Sequence, residues 1–190
     1  MASQVEICNR ALQKLGAKRI VALSDDSRNA RACNVAYDPV RLSLLRSHPW
    51  NCATARAELA ANSTTPAWGR ANSFPLPSDF VRMVEDYPED NSNAKDWVIE
   101  GRNILTDDSG PIYLRYIYDL EDPNEMDSLF REALSCLLAL ELSEEITQSN
   151  TKKESIKHDY SKVIAEARKA NAFENVSSEP PEDTWLTARL

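Results

Sequence analysis

The stretch 127–146, DSLFREALSCLLALELSEEI, limits most severely what this chain can fold into. Between Ala133 and Leu140 only Ser135 is polar. A helix with one apolar stripe faces one partner, whereas a helix apolar nearly all round must be enclosed. The stretch is too short, and too closely flanked by carboxylates, to cross a bilayer. It therefore reads as the central helix of a soluble bundle, and nothing in it carries chemistry.

The segments around it supply the rest of the bundle. Ser3 and Glu6 form an S-x-x-E capping box, the start signal of a helix. Val5, Cys8, Leu12 and Leu15 recur at helical spacing, and Gly16 supplies the stop. A second helix is expected over 28–47, with Ala30, Cys33, Tyr37, Val40, Leu44 and Leu45 on one side. Arg28, Arg31, Arg41 and Arg46 are assigned to the opposite side. Pro39 should kink or split this helix, and Pro49 ends it. Thr151 and Glu154 read as a second capping box, opening a fourth helix that runs to about residue 172. Its inner face carries Ile156, Tyr160, Val163, Ile164 and Ala167.

Between the helical halves the period changes from helix to strand. Ala53, Ala55, Ala57 and Leu59 alternate with polar residues, and 80–84 reads as another strand. Gly101-Arg102 suits a two-residue hairpin turn between strands at 97–100 and 103–106. Ile112, Leu114, Tyr116 and Tyr118 alternate with residues that are also largely apolar, which places this strand at the centre of its sheet. The residues 85–96 read as an acidic surface loop. The expected class is α+β: a bundle of about four helices with a small antiparallel β-sheet inserted and an extended C-terminal tail. The divisions are 1–50 and 121–172 for the helical halves, 51–120 for the insert and 173–190 for the tail.

Composition narrows the function. Four glycines in 190 residues leave little for a phosphate-cradling loop, and no Walker or Rossmann motif occurs. The formal net charge of −8 argues against a free-standing grip on nucleic acid. Residues 1–60 carry nine Lys and Arg against five Asp and Glu, while the remainder carries thirteen against twenty-five. That asymmetry suits either ordinary solvated surface or two ends that face different partners. The cysteines 8, 33, 52 and 136 form no C-x-x-C pair and read as buried free thiols rather than bridges or zinc ligands. No signal peptide and no run of about 18 apolar residues is present, which points to synthesis in a reducing cytoplasm.

Catalytic equipment is sparse. His48 sits in SHPW at a helix end and reads as a structural group, and His158 reads as exposed. Two histidines and scattered thiols make a zinc site improbable, and no cofactor is expected. Carboxylate pairs occur at Asp25-Asp26, Asp107-Asp108 and Glu144-Glu145. Two placed carboxylates are all that glycoside hydrolysis requires, so a cell-wall glycan hydrolase stands as the alternative function. The arginines of the second helix suit either plain solvation or pairing with acids of a neighbouring copy. The terminal stretch holds SSEPPED and then Trp185, Leu186 and Arg189, which suits either a disordered tail or an anchor for a partner's groove.

The order of several short motifs resembles the head-to-tail adaptor proteins of tailed bacteriophages, the tail tubular protein A type. They are I-x-N-R-A-L-x-x-L-G at Ile7 to Gly16, A-x-x-C-x-x-x-Y at Ala30, Cys33 and Tyr37, then Arg41, Leu45 and Arg46. HPWN follows at His48 to Asn51, with Ala53 and Arg56 spaced behind it. LPSDF at Leu76 to Phe80, W-x-x-E-G at Trp97 to Gly101 and LRYI at Leu114 to Ile117 complete the series. Cys52 departs from the pattern, since an aromatic residue often follows HPWN in the family. The resemblance spans roughly residues 3–172. It implies a non-enzymatic virion protein that forms a ring, commonly of twelve copies, beneath the portal. A tail nozzle or other tail protein would lie beyond it, and DNA would pass through an acidic lumen unread. It further implies that the C-terminal segment, with Trp185, Leu186 and Arg189, docks on the portal. Arg28, Arg31 and Arg41 would be donors between subunits.

Overall fold

In the computed structural model, which describes residues 2–84 and 97–174, local signals decide where the helices begin and end. The first helix, α1, spans Gln4–Leu15. The Ser3 hydroxyl accepts from the backbone N–H of Glu6, filling one of the donors a helix start leaves free. Gly16, at φ 74°, closes it with N–H bonds back to the last turn, a conformation that costs a residue bearing a Cβ far more.

The second helix, α2, spans Arg28–Ser47 and runs through Pro39 without a break. It is not split, and the reason lies in the exposure of the position. Pro39 is on the solvent side, and the carbonyl its ring leaves unbonded is that of Val35, also solvent-facing, where water can satisfy it.

The central stretch forms α3, Ser128–Thr147, capped by the Asp127 carboxylate on the N–H groups of Leu129 and Phe130. Phe130, Ala133, Leu134, Leu138 and Ala139 are fully buried, so the helix is enclosed as its composition demands. Each such leucine contributes about 2 kcal/mol by leaving water.

The fourth helix, α4, spans Asn150–Phe173. It begins before the Thr151-Glu154 box. Ser149 is the cap, its hydroxyl accepting from the N–H of Lys152. Gln148 takes a left-handed conformation, φ 51°, and turns the chain directly from α3 into α4. With so short a connection the two helices must lie antiparallel and adjacent, so the helix has to start at the first available hydroxyl.

The insert holds two sheets rather than one. A short 3-10 turn, Asn51–Ala53, leads into β1, Thr54–Leu59. The remaining strands are β2 Asn72–Pro75, β3 Phe80–Met83, β4 Val98–Glu100, β5 Asn103–Thr106 and β6 Ile112–Tyr118. One antiparallel sheet has the order β1-β6-β3 and the other β2-β5-β4. Strand β2 lies in the turn-rich region where alternation is absent, and its pairing with β5 creates the second sheet. β4 and β5 form the expected hairpin about Gly101-Arg102, with Glu100 opposite Asn103.

β6 is central, and its two faces serve two cores. Ile112, Leu114 and Tyr116 join Phe74 and Ile104 in the core between the sheets. Ile117 points the other way, into the helical core. This double duty is why the strand reads as apolar on both sides. Tyr113 is the exception, 65% exposed at the outer end.

Gly110 precedes β6 at φ 79°, and a Cβ there would lie 2.7 Å from the Phe74 ring. Gly110→Ala is therefore expected to destabilise by about 2 kcal/mol, from left-handed backbone strain and overpacking together. Urea unfolding of the two proteins measures it; an unchanged midpoint would contradict the close approach.

Candidate interaction surfaces

α2 presents a solvent-facing stripe of Arg28, Arg31, Val35, Leu42 and Arg46, spaced three, four, seven and four residues apart along one side. Val35 is 76% exposed and Leu42 38%. Beside the stripe runs an open groove against α3, lined by Arg31, Val35, Pro39, Glu141, Leu142 and Glu145. The arginines are engaged within the chain. Arg28 donates to the carbonyl of Glu145 and stands 3.9 Å from its carboxylate. Arg31 pairs with Asp26. Both pairs are well exposed to solvent, where such contacts contribute little and exchange readily for others.

Arg41 does not belong to this face. It is 3% exposed, against the expectation that placed it on the solvent side. Tyr37, Arg41, Leu44 and Leu45 follow one another at the spacing of a single helix face, which is the buried one. Its guanidinium pairs with Asp119, donates to the carbonyl of Leu120 (2.9 Å) and reaches Asp38 at 3.4 Å. Burial opposes the charge there, but Asp119 and Asp38 outweigh it and hold the guanidinium above its ordinary pKa. Arg41 ties α2 to the exit of β6. Trp185, Leu186 and Arg189 lie outside the described residues, as does the expected loop at 85–96.

The insert carries a second surface that sequence reading missed. Trp68 is 87% exposed in the loop before β2. It stands over a shallow groove lined by Pro66, Val98, Glu100, Asn103 and Leu105. Val98 and Ile99, on an edge strand, are each about two-fifths exposed. The available signal was a lone tryptophan between Pro66 and Gly69, a place where no core position is on offer.

One member of each carboxylate pair is held by local structure. Asp25 accepts from the backbone N–H groups of Val21 and Ala22, which lower its pKa. Asp107 accepts from the N–H of Ala71 and from Arg70, and is likewise lowered. Lys153 lowers Glu144. A general acid needs its pKa raised, so Asp25, Asp107 and Glu144 are shifted away from that role. Glu132, on α3, pairs with Arg10 and Lys14 of α1. Burial raises its pKa, but hydrogen bonds from Arg10 and Lys14 prevail and lower it overall.

The described cysteines are free, and Cys8, Cys33 and Cys136 are buried. Among the described residues no group of three or more His, Cys, Asp or Glu side chains is arranged to hold a metal ion. No helix among them is long and apolar enough to cross a membrane.

Several polar residues of the motifs named above have internal partners. Asn9 exchanges two hydrogen bonds with the backbone of Ile20, each 2.8 Å. Arg46 donates to the carbonyl of Val81, and Arg82 donates back to the carbonyl of Arg46. The Trp50 indole N–H donates to the carbonyl of Leu44 (2.9 Å). The Tyr116 hydroxyl donates to Asp79 (3.1 Å). No protein-family model matches the chain, and no curated protein matches it either.

Proposed function

We propose that the chain is a structural adaptor of a tailed-phage virion, one that joins the portal to the tail and works by shape and contact rather than by catalysis. In this reading several copies, commonly twelve, form a ring on the portal, a tail nozzle or other tail protein follows, and DNA passes through the lumen. The C-terminal segment with Trp185, Leu186 and Arg189 docks on the portal, while Arg28 and Arg31 exchange their weak internal partners for acids of a neighbouring copy.

One observation supports this most: Asn9, Arg46, Trp50 and Asp79, polar members of the motifs that carry the resemblance, are bonded to the scaffold itself. Catalytic side chains converge on a cleft and leave reactive atoms open to it. Polar side chains that serve shape bond to the scaffold around them, as these four do. The exposed apolar side chains of α2 and of the insert are of the kind that assembly covers.

Electron microscopy of the purified chain mixed with its portal tests the reading. Added density in a closed ring on the portal is the expected result. A chain ending at Glu174 should keep the thermal midpoint of the full chain and lose the association. Absence of any complex with the full chain would refute the adaptor reading, and unchanged binding by the shortened chain would refute the docking role of the terminal segment.

A further inference from the structure

The far end of α4 meets the 48–51 loop through two amides, those of Asn171 and Asn51. The backbone N–H of Asn51 donates to Oδ1 of Asn171 (2.7 Å), and Nδ2 of Asn171 donates to the carbonyl of Pro49 (3.0 Å). The same Nδ2 lies 3.3 Å from Nε2 of His48. Asn51 returns the contact, its Nδ2 donating to the carbonyl of Asn171 (2.9 Å) and to the carboxylate of Glu174 (3.1 Å).

These contacts determine a protonation state. A backbone N–H only donates and a peptide carbonyl only accepts, so together they fix which end of the Asn171 amide is oxygen. The nitrogen end faces His48. Nε2 must then be the acceptor, and the neutral ring carries its proton on Nδ1. An imidazolium has N–H at both positions and would set one donor against another.

We propose that His48 and Asn171 form a proton-sensitive clasp, which holds the last turn of α4 against the 48–51 loop while the imidazole is neutral and releases it on protonation. The charged groups facing the ring are Arg168 of α4 and Arg82 of β3, with Glu174 joined to the same loop through Asn51. Trp50 packs edge-on to the ring at 4.8 Å. Burial lowers the pKa of His48, and Arg168 and Arg82 lower it further. A ring that binds its proton less readily when clasped than when free has its full stabilising effect above the ordinary value of 6.5 and loses it as pH falls below that. The clasp stands whether or not the adaptor reading holds.

Hydrogen exchange of the full chain at pH 7.5 and 5.5 tests it, read as protection of the amides of residues 170–174 after correction for intrinsic rates. Protection should fall by up to about tenfold at pH 5.5, the limit set by one unit below the free-ring value. The chain has two histidines, so His158→Gln, at an exposed position on α4, should leave the loss intact. His48→Gln should abolish it, because an amide oxygen accepts from Asn171 without titrating. Nitrogen-15 spectra of the wild-type ring at pH 7.5 should show the Nδ1–H tautomer. Equal protection at both pH values, an undiminished loss in His48→Gln, or the other tautomer would each overturn the clasp.

Discussion

Trp50→Ala is expected to lower the stability of the chain by about 4 kcal/mol. The side chain is 1% exposed and lies where the end of α2 meets the start of α3. Its ring meets Phe130 edge-on at 5.1 Å and His48 at 4.8 Å, and its N–H answers the carbonyl of Leu44. Alanine removes the buried surface, leaves a cavity that helices on both sides cannot fill, and strips a partner from that carbonyl. Trp50→Phe keeps part of the volume and should cost about half as much. Denaturant unfolding followed by circular dichroism measures both. A loss below about 1 kcal/mol for the alanine variant would mean that the 48–51 loop does not pack as described.

Arg41→Ala follows closely, with an expected loss of about 3 kcal/mol, the low end for breaking a buried ion pair. The low end applies because Asp119 is 28% exposed and can recover some hydration once its partner is gone. The Leu120 carbonyl cannot recover as well, being on a residue that is 1% exposed. Arg41→Met keeps the length and apolar stem of the side chain, so it separates packing from charge. Pairing Arg41→Met with Asp119→Leu should return part of the loss, since an apolar pair avoids the desolvation of two charges. Salt should change the wild-type contribution little, as buried pairs are poorly screened. Strong salt dependence would indicate a surface pair instead.

The two substitutions probe features of different legibility. HPWN stood out as a motif, yet its role as the packing between α2, α3 and the end of α4 emerges only when Asn171, 120 residues beyond Asn51, is brought beside it. Arg41 was readable by spacing, since it falls four residues after Tyr37 and three before Leu44 on the buried face. Charge argued for the surface and spacing for the core; spacing prevailed because the end of β6 offers Asp119 and the Leu120 carbonyl as partners. Trp68 carried no periodic signal, and its exposure follows from the loop that holds it above the second sheet.

Helix termini depend on groups within about four residues of one another, so Ser3, Gly16 and Asp127 could be read directly from the chain. The enclosure of α3 was likewise inherent in its composition, because an all-apolar helix has no stable solvated form. Strand partnership is different. Asn72-Ser73-Phe74-Pro75 pairs with β5 about thirty residues later, and no local property of those four residues announces it. The division of the insert into two sheets, the burial of Arg41 and the meeting of His48 with Asn171 all depend on which distant backbone groups arrive alongside. Local hydrogen bonding and hydrophobic period therefore determined the helices and their order, while long-range pairing, which only the folded chain resolves, decided the sheets and every polar contact that joins them to the bundle.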